Sequence, residues 1–367
     1  MLAFNDLKPL HEYLASEINQ SIHRVMERGW FILGPEVEAF EQAFAGYHGV
    51  KHAVGVANGT DAIEIALLAG GIGPGDEVIT VAHTAVATVC AIERTGARPV
   101  LVDIDPQTYT MDPNATAAAI TSRTRAIVPV HLYGHPAHIT AIAALAEKHD
   151  LLLVEDCAQA HGARFDGRLV GTYGHMAAFS FYPTKNLGAC GDGGAIITND
   201  QHYSDKARRL RNYGQVTRYV HVERGVNSRL DEIQAAILSV KLKYLDQMNQ
   251  NRRDLAVEYN RHLQGVKVPW AHPEAYHVYH LYVIRHPQRD QLAESLKSQG
   301  IGTLIHYPIP IHLQEGYSDL GYARGSLPVT ERVAKEILSM PMYYGLKPED
   351  IRVVADRLAH SLEIMGG

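Results

Sequence analysis

Seven short apolar runs recur between residues 50 and 200, and turn residues or helical stretches separate them. Most of the runs are continuously apolar rather than alternating, which is typical of strands buried on both faces of a sheet. They cover residues 52–57, 77–82, 99–104, 126–132, 151–156, 177–181 and 194–199. Apolar residues at helical spacing predict helices over 60–71, 85–96 and 138–149. This alternation predicts an α/β fold with a mainly parallel sheet, mixed at the last two runs because no helix separates them.

The pattern changes after residue 200. Residues 228–263 contain no proline or glycine and carry apolar residues at helical spacing, which predicts one or two long helices. A strand is predicted over 280–286, and helices are predicted over 289–300 and 329–340. A chain of 367 residues is also too long for one ordinary core. We therefore predict a large domain over residues 1–245 and a smaller C-terminal α+β domain over 246–367.

Composition and charge exclude several classes of protein. No apolar run approaches the roughly 18 residues of a membrane span, and the N-terminus does not read as a secretory signal. Three cysteines are too few for a disulfide framework, so a cytoplasmic protein is expected. The net charge is −6 and no dense basic run is present, which disfavours nucleic-acid binding. The histidines of 131–138 lack a second ligand set at zinc spacing, so no metal site is predicted.

Two of the predicted strands end in residues that suggest ligand binding. Asn58, Gly59 and Thr60 follow the first strand and open a helix, whose free N–H groups would form an anion site for a phosphate. Taken alone, this stretch favours an ordinary helix N-cap. Asp156 ends a strand of unbroken aliphatic residues, with Gln159 three residues beyond. A carboxylate there is poorly solvated and needs a partner.

A third strand ends at Ser180, and Lys185 follows in a turn before the glycine-rich stretch GDGGA. A lysine in a partly desolvated pocket loses proton affinity and becomes a nucleophile toward carbonyl groups. Pyridoxal phosphate (PLP) needs an anion cradle, an acid opposite its ring nitrogen, and a lysine that forms an imine with it. In an open parallel sheet the carboxyl ends of the strands share one edge. The three strand ends together therefore predict a PLP site.

The same residues lie in longer stretches that resemble the fold-type I PLP enzymes, and specifically the sugar-nucleotide aminotransferases of the DegT/StrS type. These stretches are FNDL, GWFILGPEVEAFEQAFA, NGTDAIEIAL, GIGPGDEVI, EDCAQAHGA, FSFYPTKNLGACGDGGAIITND, LRNYG and NSRLDEIQAAIL. The resemblance covers nearly the whole chain. It implies the aspartate aminotransferase-like fold, with a mixed seven-stranded sheet flanked by helices.

The resemblance also implies roles for individual residues. Cofactor binding is implied for Gly59, Thr60, Asp61, Asp156, Gln159, Ser180, Lys185 and Asn227. Lys185 and Asp156 would be catalytic: Lys185 would bind the cofactor as an imine, and Asp156 would pair with its pyridine nitrogen. Gln159 would approach the ring near its phenolic oxygen. Asn227 would reach the phosphate in the neighbouring subunit, which implies a homodimer with composite active sites.

A narrower resemblance lies near the C-terminus. The stretch GIGTLIHYPIPIHLQEGY, with VHLYGHP upstream, is similar to the branch that aminates C-3 of dTDP-linked 3-keto-6-deoxyhexoses, with L-glutamate as the amino donor. On that likeness Tyr182, His306 and Tyr307 would line the sugar pocket. A C-4 sugar-nucleotide aminotransferase is the alternative, and the gluco or galacto configuration of the sugar stays open.

Ala85 departs from the family pattern. Family members commonly carry an aromatic residue at this position, where it stacks on the cofactor ring. His83 is the candidate that would cover the ring instead.

Other classes of protein fit the sequence less well. A nicotinamide-dependent dehydrogenase would need a glycine fingerprint after the first strand, but GGIGPGDE at 70–77 precedes a strand. A non-enzymatic regulator or DNA-binding protein is opposed by the acidic charge balance. Family members that dehydrate the sugar carry histidine in place of the lysine, so Lys185 argues for transamination.

Overall fold

The computed structural model describes residues 2–366. The helices are α1 (Lys8–Tyr13), α2 (Ala15–Arg28), α3 (Pro35–His48), α4 (Gly59–Ala69), α5 (Val86–Arg94), α6 (Pro113–Ala119), α7 (Ile139–Lys148), α8 (Gln201–Leu210), α9 (Glu232–Leu242), α10 (Leu245–His262), α11 (Arg289–Ser298), α12 (Pro328–Glu336) and α13 (Pro348–Gly366). The strands are β1 (His52–Val56), β2 (Glu77–Val81), β3 (Arg98–Val102), β4 (Thr124–Ile127), β5 (Leu152–Asp156), β6 (Arg164–Phe165), β7 (Arg168–Leu169), β8 (Met176–Ser180), β9 (Gly194–Thr198), β10 (Gln215–Thr217), β11 (Val220–His221), β12 (Ala275–Tyr276), β13 (Tyr282–Arg285) and β14 (Ile337–Met340).

The central sheet has seven strands in the order β1-β9-β8-β5-β4-β2-β3. Strand β9 runs antiparallel to both of its neighbours, and every other pair in this sheet is parallel. The predicted mixed sheet is therefore confirmed, and each of its seven strands overlaps one of the seven apolar runs, although β4 ends at Ile127 and shares only two residues with the run at 126–132. Because the six remaining strands point the same way, their carboxyl ends meet at one edge.

Helices cover both faces of this sheet. Successive side chains of a strand point to opposite faces, and β8 shows the consequence. Phe179 packs against Phe44 of α3 in the cluster on one face, whereas Ala178 belongs to the cluster that includes Ile63 of α4 on the other. All of these side chains are buried, so each face carries its own continuous core.

A smaller layer follows α10 and contains β13, β14, α11 and α13, whose apolar side chains form one cluster. The helix predicted over 329–340 is wrong in its second half. Helix α12 ends at Glu336, and Ile337–Met340 forms β14, which pairs antiparallel with β13. All four residues of β14 are buried, so pairing with a second strand satisfies backbone groups that water cannot reach.

Helix α10 contributes to two cores. Leu245 and Met248 near its start pack in the cluster below the central sheet, whereas Leu255 and Tyr259 pack in the smaller layer. The division of the chain at residue 245 stays a prediction.

The first residues of the described chain lie on the smaller layer. The Leu2 N–H donates to the Gly300 carbonyl at 2.8 Å, and the Gly302 N–H donates to the Leu2 carbonyl at 2.9 Å. Leu2 also forms a parallel bridge with Ile301. Residues 2–366 include no helix that combines the length and the apolar character needed to cross a membrane.

Candidate active site

A cleft of about 250 Å³ lies at the carboxyl edge of the parallel strands. Its lining includes Asn58, Gly59, Thr60, Thr84, Ala85, Thr88, Asp156, Gln159, Ser180, Tyr182 and Lys185. The structure thus brings together the three strand ends on which the PLP prediction rests.

Lys185 lies on the connection between β8 and β9. Its backbone N–H donates to the Tyr182 carbonyl at 2.8 Å. The Ala189 N–H donates to the Phe181 carbonyl at 2.7 Å and closes the loop. Burial lowers the pKa of the Lys185 amine to about 8, although the Asp156 carboxylate opposes this shift. An amine with this pKa is partly neutral near physiological pH and can act as a nucleophile.

Buried polar contacts hold this loop from behind. The Asn186 amide donates to the Asn249 Oδ1 at 2.7 Å and to the Val278 carbonyl at 3.1 Å. The Lys241 Nζ donates to the Gly188 carbonyl at 2.7 Å. Lys185 therefore projects from a backbone that is fixed on both sides of it.

Asp156 is buried at the end of β5. Its Oδ2 accepts from the Thr88 hydroxyl at 2.8 Å, and its Oδ1 accepts from the Ala158 N–H at 3.0 Å. The Thr88 hydroxyl also lies 2.8 Å from that of Thr84. Burial raises the pKa of Asp156, while the Ala158 and Thr88 hydrogen bonds favour its charged form. A buried carboxylate of this kind is suited to pair with a protonated ring nitrogen.

Sequence reasoning missed Thr84 and Thr88 as site residues. Both lie in the TAVAT segment at residues 84–88, where the sequence pattern was unusual only at Ala85, which replaces an aromatic residue. No local signal marks them, because Thr84 precedes α5 and Thr88 meets Asp156 only through the fold.

The start of α4 forms the opposite end of the cleft. The Asn58 side chain caps the helix by accepting from the Asp61 N–H at 2.9 Å. A Cβ at Gly59 would lie 2.6 Å from the Cβ of Ser180, so a larger residue does not fit here. Thr60 and Ser180 line the same corner. The remaining N–H groups of a helix start and two hydroxyls form a suitable anion cradle.

Two predicted cofactor residues do not line this cleft. Asp61 is buried, and its carboxylate accepts from the Arg94 guanidinium at 3.1 Å. Its side chain pairs α4 with α5, and a role for Asp61 in cofactor binding stays a prediction. Asn227 is exposed and bridges to Asn212, outside the cleft of its own chain.

The predicted sugar residues lie beside the ring side of the cleft. The Gln159 amide donates to the Tyr307 hydroxyl at 3.2 Å, and the imidazole Nδ1 of His306 lies 2.8 Å from the Ser339 hydroxyl. Burial raises the pKa of Tyr307 to about 12, and burial lowers that of His306 to about 4. Tyr182 is 54% exposed at the mouth of the cleft.

His83 does not reach the cleft. Its imidazole is buried and its Nε2 lies 2.8 Å from the Tyr133 hydroxyl. Ala85 itself lines the cleft, with Ala87 nearby. The structure therefore gives no support to His83 as the residue that covers the ring.

A buried trio of His131, Glu155 and Cys157 resembles a metal-ligand set, since its ligand atoms lie within 4.8 Å of one another. Two of its three ligand groups already make hydrogen bonds. Glu155 accepts three backbone N–H groups of the 171–174 loop, each at 2.8 Å, and lies 3.1 Å from the His131 Nε2. The other His131 nitrogen accepts from the Ala137 N–H. The trio fixes a loop and a strand end.

The cleft fits PLP by the chemistry of its donors. An anion cradle, a buried carboxylate and an amine of lowered pKa face one volume, and glycine at position 59 lets the cradle pack against Ser180. These are the three groups that PLP requires.

Comparisons with known proteins agree with this geometry. A sequence profile described as the DegT/DnrJ/EryC1/StrS aminotransferase family matches residues 12–359. A pleiotropic regulatory protein of Geobacillus stearothermophilus is 50% identical over 359 residues, which cover 96% of each chain. A dTDP-3-amino-3,4,6-trideoxy-alpha-D-glucose transaminase of Streptomyces venezuelae is 48% identical over 355 residues, which cover 96% of this chain and 94% of that protein.

Solved structures extend the likeness to the fold. The crystal structure of S. venezuelae DesV in complex with a ketimine intermediate has a TM-score of 0.96 to this chain, at 46% identity and with 98% of both chains covered. The predicted fold, family and cofactor are confirmed. The chain belongs to the DegT/DnrJ/EryC1/StrS family of aminotransferases, which depend on pyridoxal phosphate.

Proposed function

We propose that this aminotransferase moves an amino group from L-glutamate to C-3 of a dTDP-linked 3-keto-6-deoxyhexose. The observation that carries the proposal is the convergence of Lys185, Asp156 and the start of α4 on one cleft, with Tyr307 hydrogen-bonded to Gln159 beside it. The name of the S. venezuelae relative supports C-3 amination of a dTDP sugar. The regulatory name of the G. stearothermophilus relative does not oppose it, because the catalytic groups are complete in this chain.

Each group of the cleft has a role in this proposal. Gly59, Thr60 and Ser180 would hold the phosphate of PLP, Lys185 would bind the cofactor covalently, and Asp156 would keep its ring nitrogen protonated. Bound PLP would supply the electron sink that stabilises negative charge on the carbon bearing the amino group.

Lys185 also moves protons once its amine is free. Its Nζ takes a proton from the α-carbon of glutamate and later delivers one to C-3 of the sugar. The lowered pKa suits both directions, because an amine with a pKa of about 8 can accept and donate protons near neutral pH. Donor and acceptor use one cleft in turn, which predicts ping-pong kinetics.

The proposal includes the sugar pocket. Tyr182, His306 and Tyr307 lie beside the cleft and would contact the hexose. His306 is neutral at physiological pH because its pKa lies near 4, so it offers hydrogen bonds without charge. A keto sugar carries no charge of its own, and such neutral contacts suit it.

We further propose a homodimer with composite sites. The β10–β11 hairpin carries large exposed apolar side chains, including Tyr219 at 78% and Val222 at 61% exposure, and Asn227 follows it on the surface. A second copy of the chain would cover the hairpin, and Asn227 would contact the cofactor phosphate bound in that second copy. Mixing Lys185→Ala protein with Asn227→Ala protein, after brief partial unfolding and refolding together, tests this. Recovery of about a quarter of the wild-type activity supports composite sites, since each mixed dimer then holds one intact site.

The reaction itself is tested with the purified, PLP-loaded protein and a panel of nucleotide-linked 3-keto and 4-keto sugars. NMR of the product identifies the aminated carbon. Amination at C-3 of a dTDP sugar supports the proposal, amination at C-4 establishes the alternative, and no turnover of any member with glutamate refutes both.

A further inference from the structure

Tyr133 connects the cofactor side of the cleft with the proposed sugar side. Its backbone N–H donates to the Gln159 Oε1 at 2.7 Å, and its hydroxyl donates to the His306 carbonyl oxygen. Gln159 in turn donates to the Tyr307 hydroxyl at 3.2 Å. One residue therefore holds the two segments that flank the reacting groups, although its own side chain does not line the cleft within residues 2–366.

The backbone of Tyr133 is fixed in an unusual conformation. Its φ angle is +60°, which an L-residue other than glycine adopts only when its surroundings require it. Its carbonyl accepts from the Leu281 N–H at 3.2 Å, which joins the end of β4 to the smaller layer. A Cβ on the next residue, Gly134, would lie 2.9 Å from the His280 nitrogen, so this segment packs closely against the smaller layer.

The hydroxyl of Tyr133 is fully used. A phenol donates one hydrogen bond, and this one goes to the His306 carbonyl. The His83 Nε2 at 2.8 Å must then be the donor to the phenol oxygen, which assigns the proton of that imidazole to Nε2. The ring of His83 meets that of Tyr133 edge-on, at 6.0 Å between centroids. His83, for which no role at the cofactor was found, thus orients the tyrosine.

We propose that Tyr133 is a positioning residue for the sugar half-reaction, which sets the His306–Tyr307 segment through its hydroxyl and Gln159 through its backbone N–H. This inference rests on the proposed function, because it takes that segment as part of the sugar pocket. The Tyr133 hydroxyl is thereby expected to affect the half-reaction of the keto sugar and not that of glutamate. The groups that handle glutamate, Lys185 and Asp156, make no hydrogen bond to Tyr133 in the described residues.

The variant Tyr133→Phe removes the hydroxyl and keeps the ring and the N–H that holds Gln159. The glutamate half-reaction is measured by the loss of the visible band of the lysine-bound cofactor. We expect its rate to stay within about twofold of wild type. For the keto sugar, kcat/KM should fall by roughly tenfold to a hundredfold, mainly through KM, because a buried carbonyl and a buried N–H lose their partner. The dissociation constant of dTDP-glucose, measured by calorimetry, should rise about tenfold as well.

Tyr109→Phe is the matched control. Tyr109 is also buried, has a φ angle of +62° and lies 6.3 Å from Tyr133 between ring centroids, but its hydroxyl lies beside Arg285. Both half-reactions of this variant should match wild type. The side chain of His83→Asn is too short to reach the phenol, so this variant should reproduce part of the Tyr133→Phe defect. His83→Gln should keep the wild-type reaction with the keto sugar.

The outcomes separate this inference from the proposed function. Equal losses in both half-reactions of Tyr133→Phe, or no change in either, would overturn the role of Tyr133 while leaving the enzyme's function standing. Wild-type protein that neither binds dTDP-glucose nor aminates a keto sugar would overturn both. If Tyr133→Phe does not fold, as judged by its melting temperature, the two His83 variants decide by the same comparison of half-reactions.

Discussion

Replacing Thr88 by valine should weaken the binding of PLP without unfolding the protein. Thr88 lies on the first turn of α5, and its hydroxyl donates to the buried Asp156 Oδ2 at 2.8 Å. Valine has nearly the same shape and cannot donate. Asp156 then keeps only the Ala158 N–H as a donor, and the Thr84 hydroxyl loses its partner.

The magnitude follows from the burial of this pair. A hydrogen bond to a charged group contributes about 1.5–3 kcal/mol when both partners are buried, and each 1.4 kcal/mol is about a factor of ten in affinity. Thr88 is 1% exposed and Asp156 is 4% exposed, so water cannot replace the lost donor. Losing the donor favours the neutral acid and moves the pKa of Asp156 further upward. We therefore expect the dissociation constant of PLP to rise roughly tenfold to a hundredfold.

The assay is a titration of apoprotein with PLP, followed by tryptophan fluorescence and by the visible band, with thermal unfolding of the apoprotein measured in parallel. Thr88→Ser is the matched control, because it keeps the hydroxyl and loses only a methyl group. It should bind PLP within about threefold of wild type. If Thr88→Val binds PLP as tightly as Thr88→Ser, the hydroxyl does not support the charged form of Asp156 and this reasoning is refuted.

Three further predictions concern other parts of the site and fold. The rate at which apoprotein binds PLP covalently should rise with pH and level off above about pH 8, because only the neutral Lys185 amine reacts. Lys185→Ala should show no visible band. A rate that does not change with pH would contradict the lowered pKa of Lys185. Gly59→Ala should lose most of its PLP affinity, because the added carbon would lie 2.6 Å from a side chain of β8, whereas Gly46→Ala, with open space around it, should bind PLP normally. Glu232→Gln should lower the free energy of unfolding, measured by urea denaturation, by about 1–3 kcal/mol, because the carboxylate accepts hydrogen bonds from three N–H groups at the start of α3. Glu38 on the same helix is exposed, so Glu38→Gln should change the free energy of unfolding little.

The pattern of apolar runs was sufficient to predict the central sheet, because buried parallel strands leave a direct trace in sequence. It failed at Ile337–Met340, where ILSM continues a helical pattern and only the distant β13 makes it a strand. Local sequence carries no record of such a partner.

The site divides in the same way. Lys185, Asp156 and Gly59 could be predicted because each is chemically unusual at its place in the chain. Thr88 could not, because a threonine in a helix is ordinary until a carboxylate 68 residues away is seen beside it. The motif around Asp61 likewise does not show that Arg94 pairs with its carboxylate.

The contact of Leu2 with Gly300 and Gly302 has a consequence for how the chain is made. During synthesis the segment around Leu2 completes its pairing only when residues about 300 positions later have been made. Until then the large sheet can form, but the N-terminal segment has no partner and stays accessible to proteases. Insertions beside Leu2 would therefore disturb the smaller layer rather than the central sheet.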